Sequence, residues 1–384
     1  MTEYSTAVGN IGPVREPRAT SRHAPPGIYS DPAIYRMEKD KIFMRNWMMV
    51  AREEELAKPG DFIAMRIFEE PVLLTRDTEG KLHAFANVCQ HRGVEVAFGS
   101  GNTKQFMCPY HGWTYRLDGR LLGAPLSSDN STFDRRSCKL PDIALGLWGG
   151  NVYINFAADP EPFAQFIAPY QAQFGYLHQE RCRMGSKQSV ELNCNWKFAV
   201  ENLIDIYHVQ VLHIGTFGKT FAAGEDNVKL GAHGRVTYEY KAAPQTPEGK
   251  TLVGRMPWMG DERGDDLGHT YRMPPNMHMF ARIDMVEQVL IWPVAVDKCR
   301  LTVYDLFPEE FVKAPDFPTK AKIYADYILQ ILEEDRSMAD SLQRAMSSKN
   351  FRAGPIVGME VGIHHVINDY LERMGFANGA SRVG

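Results

Sequence analysis

The sequence predicts an α+β fold in two parts, and three observations lead to that prediction. Residues 82–155 carry short strand-like runs separated by glycine-rich turns, which indicates that the first part is mostly β. The second half combines strand-like alternation, as at 236–240, with a long helical pattern over 318–346. Between the two parts, residues 159–162 read Asp-Pro-Glu-Pro, which is typical of a boundary.

The composition is that of an ordinary globular protein with two domains. The chain has 384 residues, of which 44% are hydrophobic and 23% are charged. Its formal net charge of −4 gives no sign of the excess positive charge that nucleic-acid binding requires. The longest largely apolar stretch, at 143–158, contains glycine and asparagine and is shorter than the ~20 apolar residues of a membrane span. With six cysteines and no apolar or basic start, we expect a cytoplasmic protein without a membrane or nucleic-acid partner.

The separate elements follow from local patterns along the chain. Residues 1–30 contain four prolines among polar residues and predict an irregular arm, which a short helix over 32–47 follows. Two extended apolar runs flank a Glu-Glu-Pro turn and predict a hairpin over 61–77. In the second half we expect helices over 196–212, 318–346 and 358–374, and strands over 236–240, 289–296 and 301–306.

Two short segments in the β part each pair one cysteine with one histidine. Cys89 and His91 form a C-x-H pair, and Cys108 and His111 follow as a C-x2-H pair. Zinc fingers usually group cysteine with cysteine and histidine with histidine, at other spacings. A Rieske-type [2Fe–2S] centre instead needs two thiolates on one iron and two imidazoles on the other. Two loops that each supply both ligand types satisfy this requirement, so we predict a [2Fe–2S] cluster here, with a zinc ribbon as the alternative.

A second candidate group, Asp205, His208 and His213, lies in the second half. On a straight α-helix, side chains five residues apart point about 140° away from each other. The two histidines could therefore share a metal only if a π-bulge or a helix end lies between them. Two histidines and one carboxylate are the ligand set of non-haem Fe(II) oxygenases, which leaves positions open for O2 and substrate. Taken alone, two histidines at this spacing more often have a structural role.

The third ligand is expected on the long helical pattern near the C-terminus. Asp335 lies four residues after Ile331 and three before Met338, which puts it within the apolar stripe of that helix. Glu334 lies at the edge of the stripe, and Glu333 points to the opposite side. A carboxylate on a buried stripe is unfavourable unless it is paired or bound to metal. Asp335 is therefore the predicted ligand, with Glu334 as the alternative and an ion pair with an arginine as the structural explanation.

Both constellations resemble those of one enzyme family. The first contains Cys-Pro-Tyr-His-Gly-Trp at 108–113, and the second opens with Asn-Trp-Lys at 195–197 and continues as Asp-x-Tyr-His-x4-His over 205–213. These motifs resemble those of the α (terminal oxygenase) subunits of Rieske non-haem iron aromatic-ring-hydroxylating oxygenases. The resemblance extends over about residues 32–371.

The resemblance implies a domain organisation. Residues 1–42 would form an N-terminal arm and helix packed on the catalytic domain, and residues 43–158 an all-β Rieske [2Fe–2S] domain. Residues 159–384 would form a catalytic domain of the helix-grip type, in which an antiparallel sheet wraps around a long C-terminal helix.

The resemblance also implies residue roles. His208, His213 and Asp335 would bind a mononuclear Fe(II). Asp205 would be the catalytic bridging acid, which contacts His208 and a cluster histidine of a neighbouring subunit, His111 by analogy. Because the cluster of one subunit would serve the iron of the next, the resemblance implies a homotrimer. The alternative for Asp205 is to orient His208 alone.

The implied activity is that of the terminal oxygenase in a multicomponent system. A ferredoxin and/or a reductase would supply electrons derived from NAD(P)H, since the chain has no dinucleotide-binding glycine motif of its own. With O2, the protein would oxidise an aromatic small molecule by monooxygenation, either ring hydroxylation or oxidative N- or O-dealkylation. Ring cis-dihydroxylation is the alternative, and an electron carrier without its own chemistry is a further one.

The second half of the chain also bears on the substrate. It is rich in aromatic and methionine residues and has no arginine-rich segment, which favours a neutral or apolar aromatic substrate. The candidate lining residues are Phe217, Phe221, Trp258, Met277, Met279, Phe280 and Trp292. Most residues of these types lie in protein cores, so core packing is the alternative for them.

Overall fold

The computed structural model describes residues 8–127, 130–260 and 262–376. Backbone contacts divide the chain into two compact units: one comprises residues 45–167, and the other joins the segments before and after it. The domain boundaries expected after residues 42 and 158 lie a few residues before the start and the end of this 45–167 unit. Among the described helices, none combines the length and apolarity that a membrane crossing requires.

The unit at 45–167 is mainly β, which confirms the all-β expectation for the first part. Its strands are β1 (Met48–Arg52), β2 (Asp61–Ile67), β3 (Glu70–Arg76), β4 (Leu82–Ala86), β5 (Ser100–Asn102), β6 (Phe106–Met107), β7 (Thr114–Tyr115), β8 (Leu121–Gly123), β9 (Ala144–Trp148) and β10 (Asn151–Asn155). They form three antiparallel sheets, with the orders β1-β10-β9, β4-β3-β2-β5 and β6-β7-β8. The hairpin predicted over 61–77 is confirmed, because β2 pairs with β3.

The core of this β unit extends to the two cysteine loops. Leu73 and Phe85 are buried in one cluster with Cys89 and Cys108. Gly119 takes a φ of +82°, and a Cβ at this position would lie 2.7 Å from the Phe85 ring. Only glycine fits this turn without displacing the core, because its φ is in the left-handed region and it has no side chain.

The other unit contains one large antiparallel sheet. Its strands are β11 (Cys182–Leu192), β12 (Val228–Gly231), β13 (Arg235–Lys241), β14 (Leu267–Met273), β15 (Met277–Arg282), β16 (Val286–Ala295) and β17 (Lys298–Pro308). The strand order is β11-β17-β16-β15-β14-β13-β12. The strand expected over 289–296 begins earlier, and its register with β17 shifts between Pro293 and Ala295. Proline lacks the N–H that a regular ladder needs, which explains an irregularity at this place.

Nine α-helices are present in the described residues. They are α1 (Gly12–Arg15), α2 (Gly27–Ser30), α3 (Pro32–Lys41), α4 (Phe163–Phe174), α5 (Trp196–Ile204), α6 (Val209–Leu212), α7 (Glu309–Val312), α8 (Phe317–Ala345) and α9 (Val361–Arg373). The 29-residue helix α8 packs on β11 and α5. A long C-terminal helix against an antiparallel sheet is the expected helix-grip arrangement, which confirms the predicted fold class.

A buried carboxylate fixes the start of α5. Glu38 on α3 accepts hydrogen bonds from Trp196 Nε1 at 2.7 Å and from the Tyr370 hydroxyl at 2.6 Å. The same side chain forms an ion pair with Lys197, and both residues are buried. The Asn195 side chain caps the helix by accepting a hydrogen bond from the Lys197 amide at 3.0 Å. These contacts set the position of the helix that leads into the candidate iron-binding segment.

Replacing Glu38 with alanine should destabilise this unit strongly. The substitution leaves Lys197 buried without its counter-charge, which typically costs ~3–5 kcal/mol of unfolding free energy. Urea unfolding followed by circular dichroism would measure the loss. Glu333→Ala removes an exposed carboxylate of α8 and should leave the transition almost unchanged. Equal transition midpoints for the two variants would contradict the prediction.

Candidate active site

The two cysteine–histidine loops have the same local conformation. The Cys89 amide donates to the Val94 carbonyl at 2.8 Å, and the Cys108 amide donates to the Trp113 carbonyl at 2.7 Å. In each loop a glycine four residues after the cysteine donates back to the cysteine carbonyl and takes a positive φ. The sequence spacing therefore builds two equivalent turns, each of which presents one sulfur and one imidazole.

The four side chains of these loops come together. Nδ1 of His91 lies 3.1 Å from Nδ1 of His111, and the side chains of Cys89 and Cys108 contact each other. Both cysteines are buried, whereas both histidines are exposed. Burial, supported by the hydrogen bond with Cys89, raises the pKa of the Cys108 thiol. A buried sulfur pair next to an exposed imidazole pair is the donor arrangement that a Rieske [2Fe–2S] cluster requires, so these residues fit that group.

The histidines of the second constellation flank a short helix. Helix α5 ends at Ile204, and the Asp205 backbone is extended, with φ −76° and ψ 122°. Helix α6 then begins after His208 and ends before His213. The single helix predicted over 196–212 is therefore wrong, since the chain breaks between α5 and α6. Of the two distortions that would bring the histidines together, the structure has the helix end rather than a π-bulge.

This chain path gathers three candidate metal ligands. Side-chain ligand atoms of His208, His213 and Asp335 all lie within 4.8 Å of one another. Oδ1 of Asp335 is 3.1 Å from His213 Nε2 and 3.6 Å from His208 Nε2. The Nδ1 atoms face other carboxylates: Asp205 lies 2.9 Å from His208, and Glu334 lies 2.6 Å from His213. A carboxylate on the outer nitrogen of each imidazole orients the ring and leaves Nε2 for a metal.

Glu334 and Asp335 thus have different positions although they are adjacent in sequence. Asp335 points towards His208 and His213. Glu334 contacts the outer nitrogen of His213 and accepts a hydrogen bond from the Thr216 hydroxyl at 3.0 Å. The apolar stripe that singled out Asp335 is shorter than expected, because Met338 and Leu342 are each 46% exposed. Beyond Asp335 the helix therefore buries Ala339 rather than the expected Met338 and Leu342.

The electrostatics of the group suit a cation. Burial raises the pKa of Asp335, but hydrogen bonds with His208 and His213 outweigh burial and lower this pKa to about 2. Burial also lowers the pKa of His208, but hydrogen bonds with Asp205 and Asp335 raise it to about 9. The carboxylate is therefore ionised and attracts positive charge, which a metal supplies when it displaces the imidazole protons. Two imidazoles and one carboxylate fit the non-haem Fe(II) ligand set.

Glu334→Ala should weaken metal binding without abolishing it. Loss of a carboxylate that orients a ligating histidine typically lowers metal affinity ~10–100-fold. Titration of the metal-depleted mononuclear site with Co(II) would measure the change. Asp335→Ala should prevent binding in the same titration, and Glu333→Ala serves as the exposed control on the same helix. An empty site in Glu334→Ala together with normal affinity in Asp335→Ala would exchange the two roles.

A cavity opens next to the three candidate ligands. Its aromatic lining residues are Phe217, Phe221, Tyr238, Tyr240 and Phe280. Three of these were expected from the sequence, whereas the expected Trp258, Met277, Met279 and Trp292 do not line it.

Two charged-type residues of the same cavity, Arg282 and Glu287, were missed by sequence reasoning. The signal for Arg282 was a charged residue directly after the largely apolar run Met277–Ala281, in what proves to be a buried strand. Burial raises the pKa of Glu287 to about 8. The cavity is therefore not purely apolar, although the sequence contains no arginine-rich segment.

Two family descriptions match this chain. One is described as Rieske [2Fe-2S] domain and matches residues 46–134, which contain all four cluster candidates. The other is described as ring hydroxylating alpha subunit (catalytic domain) and matches residues 179–375, slightly more than half of the chain.

Several curated proteins are similar over most of the chain. The glycine betaine monooxygenase oxygenase subunit of Pseudomonas aeruginosa is 26% identical, over 91% of this chain and 88% of that protein. The chloroplastic choline monooxygenase of Arabidopsis thaliana is also 26% identical, over 95% of this chain and 86% of that protein. The carnitine monooxygenase oxygenase subunit of Acinetobacter pittii is 31% identical, but over only 50% of this chain and 52% of that protein.

Solved structures share the fold. The quaternary ammonium Rieske monooxygenase CntA with a bound inhibitor superposes with a TM-score of 0.77 at 20% identity, covering 94% of this chain and 98% of that chain. Naphthalene 1,2-dioxygenase from Rhodococcus sp. gives a TM-score of 0.74 at 18% identity, covering 92% of this chain and 95% of that chain. With both domains matched, the chain belongs to the family of ring-hydroxylating α subunits, the terminal oxygenases that use a Rieske [2Fe–2S] cluster and a mononuclear iron.

Proposed function

We propose that this protein catalyses monooxygenation of a small organic molecule, by ring hydroxylation or by oxidative N- or O-dealkylation. The observation that carries the proposal is the cluster of His208, His213 and Asp335 beside an aromatic-lined cavity. These three side chains would hold a metal, and they also line the cavity in which a substrate would bind.

In this proposal each of the two groups of ligands holds one cofactor. Cys89, Cys108, His91 and His111 hold the [2Fe–2S] cluster, which accepts electrons from a ferredoxin and/or a reductase. His208, His213 and Asp335 hold the mononuclear iron. The chemistry that the two cofactors would supply when bound is electron storage and O2 activation. The aromatic side chains exclude water from the reacting carbon and orient it towards the metal.

Asp205 has the position of a connecting residue. Oδ2 of Asp205 lies 2.9 Å from His208 Nδ1, and Oδ1 accepts a hydrogen bond from the Tyr207 amide at 2.7 Å. In this proposal the Asp205 carboxylate holds the proton on His208 Nδ1 and links that histidine to a cluster histidine of a neighbouring copy, as the resemblance implies for His111.

A homotrimer is part of the same proposal. Around Asp205 the large apolar side chains of Tyr207, Val211 and Ile214 are 55%, 79% and 52% exposed. Next to His111, the side chains of Met107 and Tyr110 are 63% and 53% exposed. Contiguous exposed apolar side chains are typical of protein interfaces. A second copy whose cluster loops cover the Asp205 surface would bury both groups.

The reaction type leaves two candidate substrate classes. An aromatic substrate suits the ring faces of the cavity, which favour offset-stacked or edge-to-face contacts. A quaternary ammonium group also binds aromatic faces, and the similar proteins are named for glycine betaine, choline and carnitine. Hydroxylation of a carbon attached to nitrogen gives a hemiaminal, which collapses to a dealkylated amine and a carbonyl product.

Product analysis with 18O2 tests the proposed function. The purified protein, with a ferredoxin, a reductase and NADH, would be incubated with aromatic acids, aromatic alkyl ethers and quaternary amines. We expect about three iron atoms per chain and a product, or the carbonyl fragment released, formed with one oxygen atom from O2. Incorporation of both oxygen atoms into a cis-diol would instead identify a dioxygenase. About two iron atoms per chain and no product would identify an electron carrier.

A further inference from the structure

Arg282 is a buried cation with unused hydrogen-bond donors. It is the last residue of β15, lines the cavity beside the candidate iron ligands, and is only 2% exposed. Its guanidinium lies over the rings of Tyr240 and Phe217, at 5.0 Å and 5.6 Å from their centres. In the described part of the chain, its Nε and Nη1 atoms have no hydrogen-bond acceptor. The side chain is therefore held by aromatic rings rather than by acids.

Gln245 uses only one of the two N–H groups on Nη2, the third guanidinium nitrogen of Arg282. When the Gln245 amide oxygen faces Arg282, it accepts from Nη2 at 3.0 Å, and the amide nitrogen lies 2.9 Å from Glu287 Oε2. Each Nη atom carries two hydrogens, so one hydrogen of Nη2 remains available. This N–H and an N–H of the neighbouring Nε or Nη1 form an edge of the guanidinium with two free donors. Such an edge matches the two oxygens of a carboxylate.

The neighbouring acids form no ion pair with this cation. Among the described residues no carboxylate lies within ion-pair distance of Arg282, although Asp284 and Glu287 interact with it electrostatically. Glu287 contacts the Gln245 amide nitrogen, which lies 2.9 Å from its Oε2, rather than the guanidinium. A buried positive charge without a counter-charge is unfavourable. A negatively charged ligand group would remove that cost, whereas a second cation on the same ring faces would add to it.

We propose that Arg282 binds a carboxylate of the substrate and thereby selects an organic acid over the corresponding alcohol. The inference rests on the proposed function, since it names the chemical class of the molecule that is oxidised. The carboxylate would be anchored at the Arg282 edge of the cavity. The carbon to be oxidised would then lie towards His208, His213 and Asp335, which line the same cavity.

Two matched pairs of probes test the assignment by binding alone. In the pair glycine betaine and choline, and in the pair 4-methoxybenzoate and 4-methoxybenzyl alcohol, a hydroxymethyl group replaces the carboxylate. Anaerobic calorimetry on the iron-replete protein would measure the dissociation constants. We expect the acid of at least one pair to bind ~10–100-fold more tightly than its alcohol, as charge-assisted hydrogen bonds would produce. The pairs also distinguish an aromatic acid from a quaternary ammonium acid.

Variants separate anion binding from a structural role. Arg282→Met should remove the preference for the acid and leave the affinity for the alcohol within about threefold, whereas a structural role would weaken both alike. Arg282→Lys should retain part of the preference, because it keeps the charge and loses the planar fork. Arg300→Met is the matched control, since Arg300 lies at the surface beside Glu191. The comparison within each pair on the unmodified protein does not depend on any variant folding.

The outcomes for this site and for the proposed function are distinct. Alcohols that bind as tightly as the acids, or a panel in which no acid binds, would overturn the assignment of Arg282. If the alcohols alone were bound and oxygenated, the proposed function would stand without the carboxylate site. If acids bound with the expected preference and no substrate gave product, the proposed function would fail and the anion site would stand.

Discussion

Replacing His208 with alanine should reduce turnover to less than about 1% of the unmodified protein and leave the visible spectrum of the Rieske cluster unchanged. Loss of a carboxylate behind a metal ligand already costs ~10–100-fold, so loss of the proposed ligand itself should cost more. His208 Nε2 faces Asp335 and His213, and none of these three residues lies in the unit that carries the cysteine loops. Iron content should fall by about one atom per chain, the mononuclear iron.

The matched control for this variant is His365→Ala. His365 lies on α9 and its Nε2 atom contacts the Gly231 carbonyl at 2.8 Å, which is a structural contact. This variant should keep its mononuclear iron and its turnover. If His208→Ala lost the cluster spectrum instead, or kept full turnover, the assignment of His208 to the mononuclear site would be wrong.

Asp205→Ala should slow the reoxidation of the reduced cluster by substrate and O2 at least ~10–100-fold. Its carboxylate holds His208 Nδ1 at 2.9 Å and is only partly buried, so it is available to a second contact at the surface. Both the orientation of the histidine and the proposed link to a neighbouring cluster depend on this one side chain. Stopped-flow absorbance of the dithionite-reduced cluster would measure the rate.

The control separates this role from a general effect of lost charge. Asp326→Ala removes an exposed carboxylate on α8, where it pairs with Lys322, and should reoxidise at the normal rate. The Asp205→Ala protein should also bind mononuclear iron, though more weakly, which distinguishes slow electron transfer from an empty site. Reoxidation at the normal rate in iron-replete Asp205→Ala protein would contradict the proposed link.

Some of the site could be predicted because the evidence is local. Cys89 and His91 lie in one turn, and Cys108 and His111 in another, so ligand types and spacing within a few residues indicated the cluster. The side chain of Asp335 was singled out by its place on one helix face, which also depends only on neighbouring residues. Its position beside His208 and His213 agrees with that reasoning.

Other features depended on packing between distant segments. The break after Ile204 was not evident, because residues 196–212 have a helical pattern throughout. The contact of Glu334 with His213 requires α8 to lie against the loop after α6. The apolar run before Arg282 indicates burial but not a cavity, since the partners Phe217, Tyr240 and Gln245 come from three other segments.

The sequence by itself determined the β and α+β parts of the chain, the four cluster candidates and the two-histidine segment, because periodicity and ligand spacing are properties of neighbouring residues. Only the tertiary structure decided which nitrogen of each histidine faces the third carboxylate, and that Glu334 contacts the outer nitrogen of His213. Only the tertiary structure also brought a buried arginine to the cavity. Those features depend on the sheet and the long helix packing together, and such long-range contacts leave no periodic trace in the amino-acid sequence.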